Sequence, residues 1–301
     1  MKRVLSRRTK FTLAQHRHDD VLSFKFIQVL PVTGTLGAEV EGVDLTKPVP
    51  PPVVDEIHAA FLQYGVLFFR GQHGLTPHAH LAFSRLFGSI QRHPIVQGMA
   101  GHPDILQIVK EPGTPTRFGE EWHSDHSFMH APPLGSVNRL EIPEVCGLSS
   151  FQAAYNSLSS GLQSMASNLH AVHTSSHAFS ASAQRQANFN GTAAMTYQKG
   201  HDNSVVHPVV TIHPETGKRV LFVNPMFTQC FEHMTVDESA PILNMLYGKA
   251  FRPEHQCRFR WSPGSVAFWD NRRLQHVAIN DNVASRRVMH RITIQGGVPQ
   301  K

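Results

Sequence analysis

The 301-residue chain is poor in cysteine, and its hydrophobic residues are dispersed. The three cysteines, Cys146, Cys230 and Cys257, lie far apart and form no CxxC pair. An odd number of isolated cysteines argues against a disulfide framework and is typical of a reducing compartment. No run of about 18 apolar residues occurs, so the sequence predicts no membrane-spanning helix. We expect a cytoplasmic protein.

Charged residues are also scarce, at 17% of the chain, whereas hydrophobic residues make up 41%. This balance predicts a sizeable core and little disorder. The formal charge of +6 suits a small anionic ligand. Nucleic acid is the competing interpretation of a basic chain, but zinc-finger cysteine pairs, basic heptads and basic–aromatic repeats are all missing.

The N-terminal segment is basic and has no acidic residue before Asp19. Organelle transit peptides and solvated tails share this composition, and the lack of a clear amphipathic run favours a flexible tail over residues 1–24. No Gly/Ser linker or internal repeat follows. Residues 25–301 are therefore expected to form one domain.

Three helices and several short strands are predicted. One helix follows Pro52, with Val54, Ile57 and Phe61 on one face. A second begins at Thr76 and ends by Gly88, and a third begins at Thr235, where Glu238 completes a capping box. Runs of branched and aromatic residues predict strands at 65–69, 219–223, 265–269 and 291–295. This pattern indicates a β-barrel or sandwich with a helical layer.

The segment EWHSDHSF, residues 121–128, carries a candidate metal site. His123 and Asp125 are two residues apart, so on a strand both side chains point to the same face. His276 is the best candidate for a third ligand. Two histidines and one carboxylate form the facial triad of non-haem Fe(II) oxygenases, although they also suit catalytic zinc in a hydrolase. A pair of surface residues on a strand is the remaining interpretation of His123 and Asp125 alone.

Two arginines follow His276 at strand-compatible spacing. Arg287 and Arg291 are four residues apart, so on one strand they face the same way, about 13 Å apart. A guanidinium binds a carboxylate or sulfonate through two parallel hydrogen bonds. Surface salt bridges are the alternative role for this pair.

Several stretches together resemble the taurine dioxygenase / 2,4-dichlorophenoxyacetate dioxygenase (TauD/TfdA) family of Fe(II)/2-oxoglutarate enzymes. They span nearly the whole chain from about residue 26: TGTLGAEVEGVDL (33–45), HLAFSRLFG (80–88), WHSDHSF (122–128), HPVVTIHPETGKRVLFVN (207–224), WDNRRLQH (269–276) and RRVMHRITIQGG (286–297). The resemblance implies a mainly β fold with flanking helices, the double-stranded β-helix or jelly-roll. It also implies a homo-oligomer, dimeric or tetrameric.

The resemblance assigns the cofactor residues. It implies that His123, Asp125 and His276 hold Fe(II) and that Arg287 pairs with the distal carboxylate of 2-oxoglutarate. Where many members read Gly-Gly-Asp-Thr, this chain reads Cys-Gly-Leu-Ser at 146–149. Ser149 retains a hydroxyl that is expected to bind the cosubstrate, as the family threonine does.

The resemblance also assigns substrate contacts. Arg291 and His93 match residues that reach the acidic group of the substrate, and residues 94–120 are expected to form a lid over the pocket. The expected reaction couples dioxygen and the decarboxylation of 2-oxoglutarate to hydroxylation of a small organic anion. Sulfonates, sulfate esters and aryloxy or other carboxylates are all compatible, and hydroxylation beside a heteroatom often fragments the product.

Two other functions remain open. One is a pathway-specific hydroxylase or desaturase of an amino-acid-like metabolite. The other is a non-catalytic jelly-roll binding protein, against which the three intact ligand positions argue.

Overall fold

The computed structural model describes residues 23–93, 96–112, 119, 121–140, 145–176, 204–279 and 286–301. The predicted tail, residues 1–24, lies outside this set except for its last two residues. Among the described helices, none combines the length and the apolarity needed to cross a membrane.

Short strands make up most of the regular structure. In chain order they are β1 Gln28–Pro31, β2 Ala38–Glu41, β3 Val66–Phe69, β4 Ile90–Gln91, β5 Leu106–Lys110, β6 Gly135–Leu140, β7 Val145–Ser150, β8 His170–Thr174, β9 Ser204–Pro208, β10 Val210–Ile212, β11 Arg219–Leu221, β12 Thr228–Phe231, β13 Gln256–Arg260, β14 Ser265–Asp270, β15 Leu274–Ile279 and β16 Arg287–Ile294. The helices are α1 Pro51–Tyr64, α2 Pro77–Arg85, α3 Phe151–Asn156, α4 Ser160–Ser167 and α5 Val236–Ala250.

Eight strands form the large sheet, in the order β1-β2-β3-β14-β6-β16-β4, with β5 also paired to β16. All neighbours are antiparallel except β2 and β3. Strand β5 lies within residues 94–120, the predicted lid, and it pairs with Arg287–Arg291. The lid prediction is therefore wrong for this part, because its backbone hydrogen bonds belong to the sheet.

A smaller sheet, β13-β7-β15, faces the large one. Phe68 of β3 stacks on Phe259 of β13, with ring centroids 3.8 Å apart. Around this pair a buried apolar cluster fills the space between the two sheets, including Leu140, Leu148 and Trp261. Two sheets with one apolar interior are the arrangement expected for a jelly-roll.

Helices α1 and α2 cover the outer face of the large sheet. Phe61 of α1 stacks on Phe268 of β14 with ring centroids 4.0 Å apart, and Phe83 of α2 meets the same ring edge-on. Of the predicted α1 stripe, Ile57 and Phe61 are buried, and Val54 is half-buried. Helix α1 thus faces the core as predicted.

The predicted helix ends agree closely with the structure. The Thr76 hydroxyl caps α2, and Thr235 and Glu238 form the predicted capping box of α5. Helix α2 ends at Arg85, three residues before Gly88. That glycine adopts φ 151°, and a Cβ there would lie 2.9 Å from Ile294, so it allows the chain to pass close to β16. Helices α3 and α4 had no counterpart among the predicted helices.

Candidate metal centre

One pair of backbone hydrogen bonds brings two of the predicted ligands together. His123 N–H donates to the His276 carbonyl at 3.1 Å, and His276 N–H donates to the His123 carbonyl at 2.9 Å. This isolated antiparallel bridge places the two residues directly opposite each other. Directly opposed side chains share one face, and the two ring centroids are 4.2 Å apart.

Asp125 is positioned by a side chain distant in sequence. The Asn271 Oδ1 accepts the Asp125 N–H at 2.6 Å. Its Nδ2 donates to the carbonyls of Asp125 at 2.9 Å and of Pro133 at 3.2 Å. The expectation of a strand at His123 and Asp125 is therefore wrong, because His123 forms a single bridge and Asp125 starts a turn. The two side chains nevertheless converge.

The predicted triad is assembled. His123 Nε2 lies 3.7 Å and His276 Nε2 lies 3.8 Å from Asp125 Oδ1. One donor atom from each of the three residues falls within 4.8 Å of the others. It is the one such group of three or more acidic, histidine or cysteine residues found in the part of the chain that the structure describes.

Both histidines are prepared as neutral ligands. His123 Nδ1–H donates to the Glu121 carbonyl at 2.7 Å, which leaves the Nε2 lone pair for a metal. Burial lowers the pKa of His123. Burial, followed by the neighbouring His123 ring, lowers the pKa of His276 to about 3. Near neutral pH both imidazoles are therefore in the neutral form, in which one ring nitrogen has a lone pair that can bind a metal.

The Asp125 carboxylate is charged and held on both oxygens. Ser136 donates to Oδ2 at 3.0 Å, and the Arg291 Nη1 donates to Oδ1 at 2.8 Å. Burial raises the pKa of this carboxyl, but the charge of Arg291 and the neighbouring imidazoles outweigh it and hold the pKa well below its usual range. The carboxylate is thus fixed as an anion with Oδ1 facing both histidines.

These donors fit a divalent transition metal. Two imidazole nitrogens and one carboxylate oxygen are the facial triad of non-haem Fe(II) sites, and they suit catalytic zinc as well. Adjacent ligands about 2.1 Å from one ion lie about 3 Å apart. The observed 3.7 and 3.8 Å differ from that by less than 1 Å, which small side-chain rotations would remove.

Arg287 and Arg291 both lie in β16, as their spacing predicts. Arg291 is 6% exposed and makes the ion pair with Asp125, a contact that the sequence did not predict. Arg287 is half-buried, with Nη2 3.8 Å from the Met289 sulfur. Its charge is close enough to add a small further decrease to the pKa of His276.

Ser149 points away from the triad. In β7 it pairs with Gln275, whereas its neighbour Leu148 pairs with His276. Because side chains alternate along a strand, Leu148 shares the face of His276 and Ser149 has the opposite face. The Ser149 hydroxyl donates to the Ala250 carbonyl at 2.8 Å. The geometry gives no support to the predicted cosubstrate contact of Ser149.

His93 does reach the site. Its Nδ1 accepts the Val96 N–H at 2.9 Å, and its ring meets the His126 ring edge-on with centroids 4.5 Å apart. Burial and then the neighbouring His126 and Arg291 lower its pKa well below the usual value, while Asp125 opposes them. His93 therefore lies among the groups that surround Asp125.

A comparison with known families identifies the chain. The family model described as "Taurine catabolism dioxygenase TauD, TfdA family" matches residues 28–293. The chain belongs to this family. The prediction of a TauD/TfdA-type oxidoreductase is thereby confirmed.

Individual members of the TauD/TfdA family are similar over most of their length. An "Alkylsulfatase" from Acinetobacter baylyi is 34% identical over 90% of this chain and 86% of its own. An "Alpha-ketoglutarate-dependent sulfate ester dioxygenase" from Pseudomonas putida is 31% identical over 91% of both chains. A crystal structure described as a taurine dioxygenase from Burkholderia xenovorans has 34% identity and a TM-score of 0.77, covering 91% of each chain. The jelly-roll prediction is confirmed.

Sequence reasoning missed three residues that hold or flank the triad, Asn271, Ser136 and His126. Asn271 lies in the WDNRRLQH stretch that marks the family. Nothing in that motif shows that its side chain forms hydrogen bonds with Asp125, 146 residues away. Ser136 is an ordinary strand residue in sequence. His126 lies in WHSDHSF, next to a predicted ligand, and could have been noted there.

The triad predicts metal binding that each ligand controls. His123→Ala, Asp125→Asn and His276→Ala should each abolish stoichiometric Fe(II) binding, measured by anaerobic calorimetry, because two ligands hold the ion too weakly. His78→Ala, at an exposed position on α2, is the matched control and should bind normally. Normal binding by any of the three variants, with circular dichroism showing an intact fold, would remove that residue from the ligand set.

Proposed function

We propose that this TauD/TfdA-family enzyme uses Fe(II) and 2-oxoglutarate to hydroxylate a small organic anion through dioxygen. This proposal rests on the largely buried triad of His123, Asp125 and His276, with the guanidinium of Arg291 hydrogen-bonded to Asp125. When bound, the iron and its cosubstrate would supply the oxidising chemistry. The side chains of this protein supply geometry, charge and shielding from water.

The interior of the fold favours one orientation of 2-oxoglutarate. Arg287 lies four residues from Arg291 on β16, on the same face and about 13 Å away along the strand. The face between them carries Met289 and, across the strand pair, Leu140. An apolar strand face between two cations fits a cosubstrate with its ketoacid end at the triad and its distal carboxylate on Arg287.

The Cys-Gly-Leu-Ser sequence at 146–149, in place of Gly-Gly-Asp-Thr, makes 2-oxoglutarate binding more dependent on Arg287. Leu148 has the triad-facing position on β7 and offers no hydrogen bond, while Ser149 is engaged with Ala250. Arg287 is then the main polar anchor for the distal carboxylate in our proposal.

Arg291 and His93 are the proposed contacts for the substrate anion. Arg291 spends one N–H on Asp125 and retains four others. His93 accepts a backbone N–H at Nδ1, so the proton of its neutral ring is at Nε2. Aromatic rings close the site, with Phe227 6.0 Å from His123 and Trp269 4.5 Å from His276 between ring centroids. Such rings restrict water around the metal.

Sulfate esters lead our list of substrates. The relatives from Acinetobacter baylyi and Pseudomonas putida, at 34% and 31% identity, are named for sulfate-ester chemistry. Hydroxylation of the carbon that bears the sulfate would give a hemiacetal-like product, which releases sulfate and an aldehyde.

The proposed function has a direct test. Fe(II) and 2-oxoglutarate are added anaerobically and the visible charge-transfer band is followed; succinate is then measured in air with alkyl sulfates, alkanesulfonates, aryloxyalkanoates and amino acids. Substrate-dependent succinate from one of the anions is expected. Succinate with amino acids alone would favour the alternative hydroxylase, and failure to bind Fe(II) would indicate a binding protein.

Arg287→Ala should weaken 2-oxoglutarate binding while Ser149→Ala should not. Losing the guanidinium leaves a carboxylate unpaired, at a cost on the order of 3 kcal/mol, or about 150-fold in Kd. Ser149→Ala should lower stability by about 1 kcal/mol through the Ala250 carbonyl and change the cosubstrate Kd less than about twofold. A larger effect of the serine variant on the anaerobic titration would restore the cosubstrate role for Ser149.

Arg291→Ala should weaken the primary substrate by about 30-fold or more, since a charged hydrogen-bonding partner is lost. The 2-oxoglutarate Kd should stay within about threefold. Iron affinity should not fall, because ion and guanidinium share one carboxylate oxygen. Arg291→Lys should recover part of the substrate affinity, since it keeps the charge but not the planar geometry. Equal weakening of both ligands, or of neither, would contradict the anion role.

A further inference from the structure

The ring of His126 is a buried polar group without a hydrogen bond. It is 3% exposed, and neither Nδ1 nor Nε2 has a partner in the structure. Leaving a buried donor and a buried acceptor unpaired is unfavourable, so such a group in a folded protein requires an explanation. A ligand that is bound during function would provide one.

The backbone fixes where this ring points. His126 follows Asp125 in the turn and has φ 50°, the left-handed region that non-glycine residues seldom adopt. Its ring lies edge-on to His93 at 4.5 Å and 5.7 Å from Phe128, between centroids. The turn therefore holds the imidazole beside the triad at a cost in backbone strain.

His126 is not part of the metal donor set, which consists of His123, Asp125 and His276. The two oxygens of Asp125 accept from Ser136 and Arg291, and neither ring nitrogen of His126 donates to them. The Nε of Arg291 is likewise buried without a partner. Two side chains next to the same carboxylate thus retain N–H groups for a further acceptor.

The charge of this corner suits a monoanion. Arg291 carries one positive charge, part of which Asp125 neutralises until a metal binds there. A dianion such as a phosphate monoester would be left with uncompensated buried charge.

The placement of the donors on separate segments suits a tetrahedral head group. They come from three separate segments, which are strand β16 for Arg291, the chain after β4 for His93, and the turn for His126. A sulfate monoester or sulfonate has three terminal oxygens that spread in three directions. A carboxylate has only two oxygens, both in one plane, so one oxygen would have to accept from two of these donors.

We propose that His126 is a specificity-determining residue that donates an N–H to the sulfo group of a sulfate monoester or sulfonate, beside Arg291 and His93. This rests on the proposed function and adds a preference for sulfo over carboxylate substrates that the side chain of His126 provides.

The decisive variant is His126→Phe, which keeps the ring and removes both nitrogens. In the Fe(II)·2-oxoglutarate enzyme under anaerobic conditions, Kd is measured by the charge-transfer band for an alkyl sulfate, an alkanesulfonate and an alkanoate of equal chain length. Sulfate and sulfonate binding should weaken by about 10- to 100-fold, and alkanoate binding by less than about threefold, because the carboxylate does not use this donor. The Kd of 2-oxoglutarate should be unchanged.

Stability gives an independent readout. Because Phe removes two unpaired buried polar atoms, His126→Phe should raise Tm by about 2–4 °C. His126→Asn tolerates the left-handed backbone and keeps an N–H₂, so it should recover part of the sulfo preference. His130→Phe, at an exposed position four residues on, is the matched control and should leave the three Kd values unchanged.

The outcomes separate two kinds of failure. If the wild-type enzyme binds the anions and His126→Phe leaves the ratio of sulfate to alkanoate affinity unchanged, the role of His126 is overturned while the proposed function stands. If the wild-type enzyme binds iron and 2-oxoglutarate but none of the three anions, the anionic substrate itself is wrong.

Discussion

The metal centre depends on one pair of backbone hydrogen bonds, those that join His123 to His276. Main-chain atoms align His123, which lies in a single bridge, with His276 of β15, so the two side chains share a face and their rings lie side by side. Asn271 then fixes the third ligand through the backbone of Asp125. Because these hydrogen bonds are made to peptide groups, the ligand side chains remain available to the metal.

Features set by neighbouring residues could be predicted from the sequence, whereas contacts between distant residues could not. The sequence shows the two-residue spacing of His123 and Asp125 and the apolar runs that form strands. It also shows the helix caps at Thr76 and Thr235. It does not show the hydrogen bonds of Asn271 to Asp125, because they join residues 146 positions apart. Ser149 shows the limit of resemblance, since its hydroxyl is present but the alternation of β7 turns it to the far face.

Arg291 has a place in the site that its spacing alone could not reveal. Pattern and resemblance both treated it as a second anion-binding cation. In the structure it also balances the charge of Asp125, at 2.8 Å. A buried carboxylate needs such a partner, and a guanidinium with several N–H groups can serve Asp125 and a ligand at once.

The ion pair between Arg291 and Asp125 also affects the order in which the protein folds and binds its metal. Structural zinc domains fold only when their metal arrives, because unpaired ligands cannot be buried. Here Arg291 and Ser136 already satisfy the Asp125 carboxylate, and the two imidazoles are neutral. The triad residues are therefore paired well enough to be buried without an ion, so we expect folding and metal binding to be separate steps. The supply of metal would then limit the activity of the protein without limiting the amount of protein that is folded.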